Sequence, residues 1–275
     1  MPTVSVADTK LWYEVAGRGD PTVFVHGSLV DHTTWERVRR GLAPSLQTLV
    51  YDRRGYGTSS GPHRVHPVRD DAGDLSRLLD AIDLYPVHVI AHSYGVAVGL
   101  RLAADRPEMV RSLVLHEPLF VGLLEDDPAT APEADRLRQG MREMQSLVRS
   151  SRQEEAARMV VDALSSEERG WDRTSPEVQR AILRYVDRWS EEIMDPEATK
   201  PESAALNDLL IPVLVTTGER SPPFLHRVAA QLAGRLRNAT SRSLPGVGHV
   251  PHLSDPDQFI ALVHGFLVER AVPFT

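Results

Sequence analysis

Short β-branched runs and longer stretches of helical period take turns along most of this chain. Strands are predicted at Thr3–Val6, Leu11–Val15, Thr22–Val25, Thr48–Tyr51, Val87–Ala91, Ser112–Leu115, Val213–Thr216 and Ser241–Leu244. Helices are predicted between most of them, at Thr34–Gly41, Pro67–Asp83, Val96–Asp105, Pro223–Leu236 and Pro256–Arg270. Such alternation predicts an α/β fold: a mostly parallel eight-stranded sheet flanked by helices, with its working loops at the carboxyl ends of the strands. The turn Gly17-Arg18-Gly19-Asp20 is expected to close a first hairpin at the antiparallel edge. No internal repeat is visible.

One region departs from the alternation. From Glu117 to Ile211 no convincing strand occurs. Instead, apolar residues recur at helical spacing at Leu137, Met141, Met144, Leu147 and Val148, then Ala156, Met159, Val160 and Ala163, then Val178, Ile182, Tyr185, Val186 and Trp189. An acidic, Pro/Ala-rich stretch from Glu125 to Glu133 leads in, and Asp195 to Pro201 leads out. The organisation expected is a core of residues 1–122 and 205–275, with a helical cap, residues 123–204, inserted after the sixth strand. Most of these stripes should pack on each other and on the sheet. A cap over the strand ends must still wall a pocket, so some of Met141, Met144, Trp171, Tyr185 and Trp189 are expected to touch substrate. The acidic and arginine-rich outer positions read as a solvated face.

Chemistry concentrates at three places. The run Val87 to Ala91 leads into His92-Ser93-Tyr94-Gly95 and then directly into a helix. Strand, sharp turn and helix around a serine flanked by small residues is the setting of a nucleophile elbow, with Ala91 in place of the usual first glycine. Near the C-terminus, Gly248-His249 lies in a Gly/Pro-rich loop, from which an imidazole could serve as general base and then general acid. His252 has the milder reading of packing or pocket lining. Upstream, the strand Thr22–Val25 ends in His26-Gly27-Ser28. The backbone N–H groups of Ser28 and Tyr94 are the candidate oxyanion donors, and His26 reads as a structural pin.

The order of His26-Gly27, then Asp52-Arg53-Arg54-Gly55-Tyr56-Gly57-Thr58-Ser59, then the Ser93 elbow, then Gly248-His249 resembles the α/β-hydrolase fold superfamily over almost the whole chain. In that family the Asp-x-Arg-Gly loop is structural, which takes Asp52 out of the catalytic set. Most members keep the triad acid as an aspartate in a loop that here reads Gly218-Glu219-Arg220-Ser221, so the usual position holds a serine. The following alternative resembles some haloalkane dehalogenases and the zearalenone-type lactonases. It is Glu117, in His116-Glu117-Pro118 at the end of the sixth strand. A carboxylate closing a buried apolar strand also needs a partner. Glu219 remains the competing candidate. The resemblance implies a serine hydrolase: Ser93 attacks, His249 takes the proton, Glu117 orients the imidazole, and water releases the acid from an acyl-enzyme. Dehalogenases of this fold use an aspartate nucleophile, and Ser93 cannot replace it in that chemistry.

Composition narrows the partners. The 275 residues carry a formal charge of −7 and 41% hydrophobic residues, which disfavours nucleic acid and anionic membranes and suits one large core. Without cysteine there is no disulfide framework or thiolate metal site. The expected reaction needs no metal and no organic cofactor. Residues 1–19 lack a basic segment followed by an apolar core, so the expected location is the cytoplasm. The expected substrate is a small, apolar ester or lactone, and a homodimer is left open. Two other activities share the same residues: hydrolysis of a carbon–carbon bond in a diketone, and receptor-like ligand binding with vestigial turnover.

Overall fold

Successive residues of the central strands face opposite sides of a sheet that is buried on both faces. Val23 and Val25, Val89 and Ala91, Leu113 and Leu115, and Val213 and Val215 enter one apolar cluster. The residues between them, Phe24, Ile90, Val114 and Leu214, enter the other. This is why the strands read as continuous apolar runs rather than alternating ones. The computed structural model describes residues 2–61, 66–165 and 167–268. Its strands are β1 (Thr3–Val6), β2 (Thr9–Ala16), β3 (Asp20–Val25), β4 (Leu46–Tyr51), β5 (Val87–His92), β6 (Val110–His116), β7 (Val213–Gly218) and β8 (Ala239–Leu244). They form one eight-stranded sheet in the order β1-β2-β4-β3-β5-β6-β7-β8. β1 with β2 and β2 with β4 are antiparallel, and the other pairs are parallel.

The expected hairpin through Gly17 to Asp20 is not formed. β2 pairs with β4, and the turn instead carries the chain past β4 to β3. It crosses close under the segment leading into β4. A Cβ at Gly17 would fall 2.3 Å from the Leu46 carbonyl oxygen, and one at Gly19 would fall 2.4 Å from that of Ser45. The glycines therefore serve a close crossing as well as a tight turn.

α1 (Glu36–Leu42) and α12 (Pro256–Val268) cover one face, through Val38, Leu42, Phe259 and Val263. α2 (Val68–Ala81), α3 (Tyr94–Asp105) and α10 (Pro223–Arg235) cover the other, through Leu75, Leu78, Val96, Val98, Val228 and Leu232. A short α11 (Pro251–Ser254) precedes α12. The expected end of α12 at Arg270 lies outside the described residues. Between β6 and β7 the chain forms α4 (Ala131–Arg149), α5 (Gln153–Leu164), α6 (Gly170–Arg173), α7 (Pro176–Glu192), α8 (Pro196–Thr199) and α9 (Ser203–Asp208). No strand interrupts this insertion among the described residues. α7 starts where Ser175 caps the Val178 N–H and Pro176 takes the first turn, which has no need of its missing donor. No helix among the described residues is long and apolar enough to cross a membrane.

Candidate active site

β5 and β6 end in register, His92 beside His116. The next residue on each strand leaves the sheet in the left-handed region, with φ of 54° at Ser93 and 47° at Glu117. Neighbouring backbone holds both in place. The Ser93 N–H donates to the His116 carbonyl at 2.9 Å, and the Glu117 N–H donates to the Thr216 carbonyl at 3.1 Å. At Ser93 the ψ is −121°, a combination that side chains of L residues rarely adopt and that marks a sharp elbow. α3 begins at the following residue. Only a small residue fits two positions on: a Cβ at Gly95 would lie 2.5 Å from the Val25 carbonyl oxygen and 2.8 Å from that of His26.

His249 reaches these strand ends from the loop after β8. His92 Nε2–H donates to the His249 carbonyl at 2.8 Å, and the two rings lie 4.6 Å apart. His249 Nδ1–H donates to Glu117 Oε2 at 2.7 Å, while Glu117 Oε1 accepts from the Gly218 N–H at 2.6 Å. Glu117 is fully buried, at 0% exposure. Burial alone would push its carboxyl up, but the His249 hydrogen bond and the flanking imidazoles bring it down to about 2, so it is ionised at neutral pH. With Nδ1 committed to a carboxylate, Nε2 is the ring nitrogen of His249 left to take a proton.

Glu219 is placed differently. It is exposed, and its Oε2 accepts from the Gly246 N–H at 2.7 Å. It braces the loop that carries His249 from the solvent side. Ser221, where most of the superfamily keeps an aspartate, is buried and favours the ionised form of Glu117.

The loop carrying Ser28 runs against the elbow. A Cβ at Gly27 would sit 3.1 Å from Ser93 Cβ and 3.1 Å from His92 Nδ1. Tyr94 opens α3, so its N–H is among those a helix start leaves without an internal partner. His26 is a pin, with Nδ1–H donating to the Gly27 carbonyl at 2.8 Å and Nε2 accepting from the Arg53 N–H at 3.0 Å. Burial and the Arg53 charge lower its pKa to about 4. His252 packs on Trp35, with ring centroids 4.5 Å apart, and bonds Thr34 Oγ1 at 2.9 Å. Asp52 accepts from the His32 N–H and ring and from the Thr58 N–H, which ties its own loop together. Asp31, His32 and Asp52 lie close enough to share a cation. The 2.6 Å contact from His32 Nδ1 to Asp52 Oδ1 already takes up two of their ligand atoms.

Met141, Met144, Trp171, Tyr185 and Trp189 are all buried in the larger apolar cluster. Tyr185 goes beyond packing: its hydroxyl accepts from the Gly57 N–H and donates to Asp31, both at 3.0 Å. A cleft of about 440 Å³ opens beside His249, between Leu164 and Ser165 of the insertion and Arg220, Val247 and Asp255 of the core. Ser93 itself is only 5% exposed.

Two residues of the site lie outside the candidate set read from the sequence, Arg53 and Glu192. Glu192 belongs to no candidate set read from the sequence, yet it is 3% exposed and bonded to Ser28, Arg53 and Tyr56. A signal was available in the chain. The buried stripe Ile182, Tyr185, Trp189 continues at helical spacing to Glu192, which places an acid on the apolar face of α7.

Set beside known proteins, the chain is 32% identical over 124 residues to the uncharacterized hydrolase YraK of Bacillus subtilis, covering 44% of this chain and 46% of that one. It is 33% identical over 104 residues to a haloalkane dehalogenase of Agrobacterium fabrum, covering 38% of this chain and 34% of that one. The chain thus spans about half the length of the first relative and a third of the second. Among solved structures it is similar to Est816, described as an N-acyl homoserine lactone degrading enzyme, with a TM-score of 0.73, 23% identity, and coverage of 96% of this chain and 100% of that one. The profile of the alpha/beta hydrolase fold family matches residues 20–256, and the chain belongs to that family.

Proposed function

We propose that this protein is a serine hydrolase that cleaves a carboxylic ester or lactone through an acyl-enzyme. The observation that carries the reading is the buried, ionised Glu117 carboxylate 2.7 Å from His249 Nδ1, beside a serine on a strained elbow. Ser93 Oγ attacks the carbonyl carbon and His249 Nε2 takes its proton. Glu117 keeps the imidazole in the productive tautomer and offsets its developing charge. The Ser28 and Tyr94 N–H groups receive the oxyanion. The leaving alcohol takes the proton back from His249. Water, deprotonated by the same nitrogen, then attacks the acyl-Ser93 ester and regenerates the serine.

The insertion, residues 123–204, serves in this reading as a cap over a core of residues 1–122 and 205–275. The cleft beside His249 is the entry for a small, mainly apolar substrate. Ester and lactone are favoured over carbon–halogen cleavage because the nucleophile is a serine, whose acyl ester can be hydrolysed. The lactone activity named for Est816 is consistent with this chemistry.

Ser93→Ala tests it. The variant should fold as the parent does, lose p-nitrophenyl ester turnover by about 10³-fold or more, and no longer react with a fluorophosphonate probe. Unchanged labelling of the variant would remove the acyl-enzyme route.

A further inference from the structure

Both residues assigned to the oxyanion have side chains that run into one buried charge cluster. At its centre is Arg53, fully buried behind the Ser28 loop. Arg53 Nη2 donates to the Gly27 carbonyl at 3.1 Å, and Nη1 donates to Glu192 Oε1 at 2.8 Å and Asp71 Oδ2 at 3.1 Å. Its guanidinium lies 4.5 Å over the Tyr56 ring and 4.4 Å over the Tyr94 ring. The Tyr94 hydroxyl donates to Asp71 Oδ2 at 3.3 Å. Glu192, the last residue of α7, completes the cluster by accepting from the Ser28 hydroxyl and, at 3.0 Å, from the Tyr56 hydroxyl.

The Gly27 carbonyl and the Ser28 N–H belong to a single planar peptide. A cation bonded to that carbonyl fixes the plane's orientation and draws electron density from the amide, which makes the N–H at its other end a better donor. His26 Nδ1–H shares the carbonyl at 2.8 Å. Arg53 can hold this place only if its own charge is met. Burial alone would lower its pKa, but the Glu192 and Asp71 carboxylates raise it well above the ordinary value. One of those carboxylates comes from the core and the other from the insertion.

We propose that Arg53 and Glu192 are positioning residues for the oxyanion hole. Arg53 orients and polarises the Gly27–Ser28 peptide through its carbonyl, and Glu192 anchors Arg53 and the Ser28 hydroxyl from the insertion. The inference rests on the serine-hydrolase reading and adds that seating of the insertion sets the strength of the hole. Interactions made only with the oxyanion appear in kcat and in the binding of tetrahedral adducts, and they leave ground-state binding nearly unchanged.

The experiment compares Glu192→Ala, Glu192→Gln and Ser28→Ala with the parent. It measures kcat and KM on a p-nitrophenyl ester and the inhibition constant of an aryl trifluoromethyl ketone, which forms a hemiketal oxyanion on a serine. Glu192→Ala should lower kcat about tenfold to a hundredfold, short of the loss of a whole oxyanion donor. The ketone's inhibition constant should rise by the same factor, with KM within about threefold. Glu192→Gln keeps an acceptor for Ser28 and should recover most of the loss. Should Glu192→Ala fail to fold, Ser28→Ala, which removes a hydroxyl and keeps the N–H, must show the same split. Variants that melt at lower temperature but keep the parent's kcat and ketone affinity would overturn the proposal. A parent that neither turns over the ester nor binds the ketone would instead overturn the serine-hydrolase reading.

Discussion

The loops after β6 and β7 leave neighbouring strands, and each carries a glutamate close to its strand end. Glu117 is sealed from water, holds His249 Nδ1 with one oxygen and the Gly218 N–H with the other, and stays ionised despite its burial. Glu219 faces solvent and holds only a backbone N–H of the next loop. The same side chain thus does opposite things on adjacent strands. A carboxylate in a low-dielectric setting interacts strongly with an imidazolium, whereas one in water is largely screened. Distance along the loop is therefore a weaker guide to the acid than the shelter a strand end provides. Both strand ends open toward the same histidine loop, so in the proposed reading the acid moves one strand over without changing its target.

The sharpest way to break this contrast is Glu117→Gln, which keeps the shape and removes the charge. Ester turnover should fall by about 10² to 10⁴-fold in steady-state kinetics; a loss under twofold would return the role to the other loop. Next in size is rescue. In the Glu117→Gln background, Ser221→Asp should recover about tenfold, because it restores a buried carboxylate where the superfamily usually keeps one. In the parent background the same change should lower activity, since two buried carboxylates sharing a site cannot both ionise easily.

Acid should expose the two sides unequally. Burial holds His26, His88 and His116 neutral, with pKa values near 4, at His116 against the pull of the Glu117 carboxylate. His92 and His252 are lowered further. These groups bind protons in the unfolded chain first. Their contribution to stability is whole above about pH 6.5 and shrinks as pH falls toward 4, by up to about 1.4 kcal/mol per pH unit for each. Glu117, depressed to about 2, adds a share that is lost only as pH falls from about 4.5 through 2. His32, raised by its bond to Asp52 against the effect of burial, works in the opposite sense. Melting temperatures should drop steeply between pH 6.5 and 5, and a flat profile there would contradict the buried neutral imidazoles. Smallest of all, Glu219→Gln should leave turnover within about twofold, because it alters one exposed hydrogen bond, to the Gly246 N–H, and keeps an acceptor there.

The sheet, its order of motifs and the elbow were legible because each rests on local rules: β-branched runs and small residues around a serine. The contact of Glu117 with His249 is long-range, and it was legible through the resemblance to families that carry an acid after this strand. The Gly17–Gly19 turn misled because local turn chemistry cannot say which strand lies next door. The stripe on α7 marked Glu192 as buried, but its partners were unreadable for a similar reason. Its position on α7 is local, but its partners Ser28, Arg53 and Tyr56 lie far away in sequence, and only the packing of the insertion on the core joins them. Arg53, in turn, stands at the unspecified position of the Asp-x-Arg-Gly motif, so the motif assigns it no role.

Ser93 and Glu117 share one backbone oddity, a positive φ that glycine would adopt with ease. At these two positions glycine would relieve the backbone while erasing the chemistry, and at 117 it would also take the carboxylate from the Gly218 N–H and His249 Nδ1. Selection for turnover would therefore hold both side chains in a conformation that the backbone alone would give to glycine. In a lineage that no longer needed the reaction, these would be among the first residues to relax. A descendant with glycine at both would relax the two strand ends and lose the proposed reaction.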